Sequence, residues 1–507
     1  MRTAVVWLAV AQFLAPLYAQ QESGVILRTE TRVVQVDVTV RNSDGKPVED
    51  LKPSEFTILD NGKVRPFTIF NVNRLGPDAS QPVPEPLPER AALPPNTFTN
   101  IGAPPPPSGG HSTIILLDGV NGWFESFVWG SQGIQGLMGK LPADERIALY
   151  VLTKFDGLLQ VVDFTTDRER VRKAAAAFRP RAMVAASAGM GPGPDGNGMA
   201  ENTRIANAER DYFMNVAVDD VRRSFNALSE RLRALPGRKS VFWITEGFPP
   251  ELMRNSGAWD KTFTALNDAN IAVNTVDADG IGGPRRLWGG GGILGMREVA
   301  ERTGGEAFYH RNDLDAALAE GINDSRRSYT LGFYLTELDG KYHELKVLAN
   351  RPHLDLNYRR GYLAETDAMR DFAGRKSELD SALLNPLDLT GLGIVAKVEE
   401  KAGNLTLHLR LDPKSLTVAQ SAGLWKGQVE ELFIERNPNG DRVARVSQTS
   451  NFSIGPKGKA AWDRFGLTLT HTFRLAPAAT KLVIVIRDSA SGRTGSLTLP
   501  LPAHSGA

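Results

Sequence analysis

At 507 residues the chain is long enough for about three domains of roughly 100–200 residues each. Its 59 Lys and Arg against 58 Asp and Glu leave a net charge of +1, which supplies no field to hold a nucleic-acid backbone or an anionic membrane. A hydrophobic content of 41% with 23% charged residues argues against a disordered or polytopic membrane chain, and the absence of cysteine excludes disulfides, thiolate metal sites, thiol nucleophiles and a lipid-bearing cysteine.

Arg2 precedes an apolar stretch from Ala4 to Leu17 and small residues ending at Ala19, the pattern of a secretory signal peptide over 1–19. No later segment is long and apolar enough to span a bilayer, so the mature chain is expected in the periplasm or outside the cell, and export without cysteine favours a bacterial source. Residues 24–75 read as a small β-module. Val34, Val36, Val38 and Val40 alternate with Gln35, Asp37, Thr39 and Arg41, a strand with one wet face, and Asp44-Gly45 and Asn61-Gly62 are tight turns. Residues 76–110 carry 11 of the 31 prolines and are expected to be an exposed, extended, poorly packed linker.

From residue 111 to 335 apolar strand runs alternate with helices. Thr113 to Leu117 ends in the carboxylate of Asp118, and Arg146–Leu152, Val241–Thr245 and Ile271–Asp277 repeat that form, as strands buried on both faces of a parallel sheet do. Leu158–Val162 is expected to pair at the edge. Thr166-Asp167-Arg168-Glu169 fits a capping box for a helix to Phe178. Phe213, Val221, Phe225, Leu228, Leu232 and Leu235 mark an amphipathic helix that Pro236-Gly237 ends. Met183–Gly198 and Gly289–Gly292 are Gly-rich insertions, suited to spacers or binding loops. This alternation predicts a doubly wound α/β domain with its site at the carboxyl ends of the strands. Residues 336–365 return to period two as a β-hairpin extension, and 376–505 hold short strands and turns, predicting a β-sandwich-like domain.

Three central segments, TIILLDG, WITEGF and NIAVNTVDADG, resemble strand ends of a von Willebrand factor A-type domain. The flanking VQVDVTVRNSDGKPVEDLKPSEFTILDNGKVRPFTIF and YTLGFYLTELDGKYHELKVLANRPHLDLNYRRGY look like those of the secreted VWFA-related proteins abundant in Acidobacteria, and the likeness spans residues 24 to 363. It implies a Rossmann-like, mostly parallel central sheet carried between β-modules.

The resemblance also implies a divalent metal held by a D-x-S-x-S loop, a Thr, and an Asp after the fourth strand, and oxygen ligands of this kind suit Mg²⁺ or Ca²⁺. Here the loop reads Asp118-Gly119-Val120-Asn121-Gly122, with Val120 and Gly122 where hydroxyls belong, and Glu246 replaces the Asp. Asp118, Asn121 and Glu246 are the candidate ligands of a degenerate site that either binds no metal or holds Mg²⁺ or Ca²⁺ weakly; Thr203 is the nearest candidate for the loop Thr. Asp277-Ala278-Asp279-Gly280 reads as a strand-end turn and Asn437 to Asp441 as a hairpin turn. There is no G-x-S-x-G, H-E-x-x-H or P-loop, and His111, His310, His343 and His353 lack metal-ligand spacing. The sequence therefore points to a secreted, non-enzymatic, adhesion-type protein presenting the central domain to a protein or glycan. The alternatives are a structural cell-envelope assembly protein and an extracellular hydrolase.

Overall fold

The computed structural model describes residues 32–74, 93–101, 112–122, 124–153, 157–178, 199–233, 235, 237–248, 250–254, 257–280, 291–335, 339–364, 387–401, 404–421, 423–438 and 441–501. The expected signal peptide, most of the linker and the Met183–Gly198 insertion lie outside them.

A strand covered by helices on both faces has no wet side, and Ser112–Asp118 (β1) is buried at all seven positions. It is followed by α1 (Phe124–Leu137), β2 (Ile147–Thr153), β3 (Gly157–Thr165), α2 (Arg168–Ala177), α3 (Met199–Leu232), β4 (Lys239–Thr245), α4 (Glu251–Arg254), α5 (Ala258–Asp268), β5 (Ile271–Asp277), α6 (Gly291–Thr303), β6 (Ala307–Phe308) and α7 (Leu314–Ser325). The sheet order is β6-β5-β4-β1-β2-β3, parallel except for the edge strand β3. Ile114 and Leu116 pack with Val221, Phe225, Trp259 and Val299, from α3, α5 and α6. Ile115 and Leu117 point the other way, into a cluster with Phe127, Val171 and Leu318, from α1, α2 and α7. The chain moves outward from β1 through β2 and β3, then restarts on β1's other side at β4, so the topological switch point lies between the carboxyl ends of β1 and β4. The cap of α2 is Asp167, which accepts from the Arg170 amide at 3.0 Å, one residue later than the expected capping box because Thr165 Oγ1 already holds the Asp167 amide.

The strands before and after this sheet form one β-unit, where the sequence predicts a module and a separate extension. Arg32–Asn42 pairs antiparallel with Arg327–Leu335 and with Leu354–Asn357, and Arg327–Leu335 also pairs with Ile69–Arg74. A second sheet joins Phe56–Asp60 to Tyr342–Ala349, Lys63–Arg65 and Gly361–Leu363. Val34, Val36, Val38 and Val40 meet Tyr329, Leu331 and Phe333 between the sheets. Arg327–Leu335 thus belongs to this unit, and the α/β domain ends near Ser325 rather than at residue 335. Asp37, on the strand face expected to be wet, is 6% exposed because that face lies on the amino ends of β4 and β5. Its partner there is the Thr330 hydroxyl. Arg41 closes the same junction, bidentate to Glu306 at 2.6 and 2.7 Å and bonded to Asp324. Gly304, at φ +74 after α6, leaves room for the Arg359 backbone, 2.6 Å from where a Cβ would stand.

The C-terminal unit packs two antiparallel sheets around Leu407, Leu409, Phe433, Ile484 and Leu497. The strands that the period-two pattern predicts at Ile394–Val398, Leu405–Leu411, Val429–Ile434, Leu467–Phe473 and Leu482–Ile486 are all present, joined by Arg442–Ile454 and Thr494–Pro500. The linker is corrected here too: Thr97–Thr99 pairs with Val395–Lys397 as the edge of one of these sheets.

Two consequences are measurable. Burial pushes the Lys239 ammonium down to about 8 against the opposing charge of Asp37. The unfolded chain therefore binds more protons from about pH 8 up to the ordinary lysine range, and stability should rise with pH there. In urea titrations at pH 8 to 10 the native chain should show that rise relative to Lys239→Met; parallel pH profiles would refute it. Arg326 is 4% exposed and pairs at 2.5 Å with Glu145, itself 2% exposed. Arg326→Ala, which strands that carboxylate, should cost about 3–5 kcal/mol by urea denaturation, and Arg326→Leu combined with Glu145→Leu should recover much of the loss.

Candidate functional site

Every sequence-nominated side chain that the structure describes at this site sits at the switch point. Asp118 ends β1, Asn121 lies in the loop to α1, and Glu246 follows β4. Asp118 is 4% exposed, and both its oxygens are engaged. Oδ1 accepts from the amides of Val120 at 2.8 Å and Asn121 at 3.0 Å. Oδ2 accepts from Asn121 Nδ2 at 3.2 Å, Trp243 Nε1 at 3.0 Å and Thr245 Oγ1 at 2.8 Å. Because β-strand side chains alternate, Asp118, Trp243 and Thr245 share the α3 face of the sheet with Leu116.

Glu246 is 7% exposed and is held from the opposite layer, accepting from Ser126 Oγ in α1 at 2.6 Å. Gly122 lies against it: a Cβ there would stand 3.1 Å from Glu246 Oε1. Gly247, at φ +68, turns the chain beyond Glu246 and brings Gly292 O to 2.4 Å from its would-be Cβ, drawing the start of α6 onto the rim. Asp220 of α3 adds a further carboxylate nearby. Burial raises its pKa above the ordinary aspartate value, Arg223 opposes this, and Asp219 and Asp118 reinforce it.

These residues do not fit a hard divalent cation. A carboxylate offers about four lone-pair sites, and five donors converge on Asp118, among them an indole N–H and two backbone amides that cannot turn to present oxygen. Asp118 is bonded to its own loop and to β4 on the α3 face of the sheet, and Glu246 to α1 on the other. Asn121 Oδ1 is buried without a hydrogen-bond partner, but a single amide oxygen is far short of the six or more oxygens such a cation takes. Among the described residues no group of three His, Asp or Glu side chains is arranged to hold a metal ion. Thr203 falls within α3, and its side chain is outside the description.

Four residues of the site were not nominated from the sequence: Ser126, Asp220, Trp243 and Thr245. The hydroxyl missing from position 122 is supplied to Glu246 one helical turn later, from inside α1, where a loop motif gives no signal. Thr245 lies within the quoted WITEGF, but only the register of β4 against β1 shows that it faces Asp118. Elsewhere, His343 bonds Asp60 at 2.8 Å within the β-unit, and Asp277 closes a strand-end turn by accepting from the Asp279 amide. Asn437 and Asp441 bond each other across the hairpin.

The switch-point geometry defines a doubly wound α/β domain with a sealed acidic centre. No protein-family model matches the chain. No curated protein matches it either. Solved structures similar to parts of it include an aerotolerance-related membrane protein from Bacteroides fragilis, at 13% identity over 43% of this chain and 99% of that one, with a TM-score of 0.27. BatB from Bacteroides thetaiotaomicron aligns at 16% identity over 42% of this chain and 97% of that one, TM-score 0.26. A von Willebrand factor type A protein from Catenulispora acidiphila aligns at 10% over 50% and 65%, TM-score 0.26. Von Willebrand A-type domains are thus among the structural neighbours, but scores this low carry no argument, and the description of the domain rests on its own strand order.

If the Asp118 network is structural, Asp118→Ala should destabilise the chain by about 2–4 kcal/mol, because buried donors lose a charged acceptor. The unfolding temperature of the native chain should be the same in EDTA and in millimolar Mg²⁺ or Ca²⁺, since even a Kd near 1 mM would add only about 0.4 kcal/mol at 1 mM metal. A rise of many degrees on adding metal, lost in Asp118→Ala, would restore a cation to the site.

Proposed function

We propose that this is a non-enzymatic binding protein of von Willebrand A type that engages a protein partner at the carboxyl rim of its α/β sheet without a bridging cation. The observation that carries the reading is a set of exposed apolar side chains on the two helices that start at this rim. Phe124 is 39% exposed, Val128 36%, Trp129 42% and Leu294 52%. Phe124 and Val128 lie one turn apart on the exposed face of α1, on the side of the helix away from the buried Ser126 that binds Glu246. Leu294 lies in the first turn of α6, whose start Gly247 draws to the rim. Exposed aromatic and aliphatic side chains on packed helices are the kind of anchor that dominates protein–protein binding.

Five donors saturate Asp118, which favours a binding role for the domain over hydrolysis at that carboxylate. Among the described residues no helix is long and apolar enough to cross a membrane. Together with the signal-like stretch 1–19, this supports release of the mature chain into the periplasm or beyond, and the VWFA-related segments support a bacterial family of that kind.

The test is affinity capture from the envelope fraction of the source organism, comparing the native chain with Phe124→Ser combined with Trp129→Ser. A partner retained in EDTA and weakened about 30-fold or more by the double variant is expected, in line with the ~2 kcal/mol or more that anchor residues contribute. Capture that ignores these substitutions, or that needs Mg²⁺ or Ca²⁺, would overturn the proposal. So would turnover of peptide or glycan substrates by the purified chain.

A further inference from the structure

The segment Leu93–Ile101 reaches the C-terminal unit from nearly 300 residues upstream and completes it. Thr97, Phe98 and Thr99 pair with Lys397, Ala396 and Val395, and the Val398 amide donates to Asn96 O at 2.9 Å. Alternation sends Phe98 and Asn100 to the same side. Phe98 packs against the core cluster that contains Ile394, Leu409 and Leu497. Asn100 is 3% exposed, and its amide makes three bonds: Nδ2 donates to Leu389 O at 2.5 Å and Leu392 O at 2.8 Å, while Oδ1 accepts from the Ile394 amide at 2.7 Å.

Two glycines shape the receiving surface. A Cβ on Gly495 would stand 3.1 Å from Asn100 Nδ2, and one on Gly393 would stand 3.2 Å from Ile101. The arrangement has the parts of peptide recognition by strand addition: ladder bonds along an edge, an apolar seat for one alternate side chain and a polar clamp for the next.

None of these bonds depends on which molecule supplies the strand. Its connections run through residues 75–92, with five prolines, and 102–111, with four. By composition these spacers are of the semi-rigid, proline-rich kind, and the effective concentration of the strand at its own groove depends on how well their length matches the span. At ~3.3–3.6 Å per residue the spacers could span at most about 60 and 35 Å, enough to reach a neighbouring molecule.

We propose that the groove beside Ile394–Val398 is a strand-docking site whose second occupant is the Leu93–Ile101 segment of another copy of this chain, so that reciprocal exchange joins two copies. Every ladder bond, the Phe98 seat and the Asn100 clamp are retained in the exchanged pair. The balance between closed monomer and exchanged dimer is set by concentration rather than by new contacts.

The lack of native cysteine makes cross-linking unambiguous. Thr97 and Lys397 are direct partners in the ladder, so two full-length single variants, Thr97→Cys and Lys397→Cys, can be mixed, unfolded, refolded together and oxidised. The expected result is a disulfide-linked dimer containing one of each, identified by mass spectrometry of the bridged peptides. Its fraction should rise roughly in proportion to protein concentration up to about 100 µM.

The chain carrying both cysteines should close an internal bridge when refolded at high dilution. An internal bridge there with no mixed dimer at any concentration would overturn the proposal. Failure of the double variant to bridge at all would refute the docked strand itself.

Discussion

The central strand β1 has apolar neighbours on every side, and its single charge is at its last position. A carboxylate there must be neutralised by donors or released to water, and Asp118 meets that requirement by drawing in an indole, a hydroxyl, an amide side chain and two backbone N–H groups. The network fixes the β1–α1 loop against the end of β4 at the place where the sheet reverses its order of strand addition. The neighbouring Glu246 is held from the α1 layer, so the two carboxylates brace opposite faces of one rim. On the proposed reading, rigidity at the rim would let exposed side chains on α1 and α6 act as fixed anchors.

The elements that were legible in the sequence are those whose signal is local. The buried strands of the α/β sheet, the alternating valines of Val34–Val40 and the five C-terminal strands each carry their period within a few residues. Partner choice is not local. Tyr329, Leu331 and Phe333 have the same alternation whether their strand closes the α/β domain or pairs with Arg32–Asn42, so the sequence places the boundary about ten residues late. Asp37 reads as solvated because its burial comes from a different unit, and Thr97–Thr99 is hidden among prolines that dominate the composition around it.

The site was half legible for a related reason. Asp118 and Glu246 announce themselves at strand ends, and that Val120 and Gly122 carry no hydroxyl is plain. The compensation is not, because Ser126 depends on where α1 begins, and Trp243 and Thr245 depend on strand register. Substitutions that empty a ligand position can be read from a motif; the donors that take over the orphaned carboxylate are visible only in three dimensions.

The β-unit also imposes an order of events on synthesis. Ile69–Arg74 and Arg32–Asn42 lie on either side of Arg327–Leu335, so neither has its central partner until some 250 further residues have been made. At ~5–20 residues per second that interval is on the order of 10–50 s. During it the valine-rich first strand would stay unpaired while the whole α/β domain is added behind it. A chain passed through a membrane in the unfolded state would lose nothing by this delay, whereas one folding beside other nascent chains would expose a ready strand edge throughout.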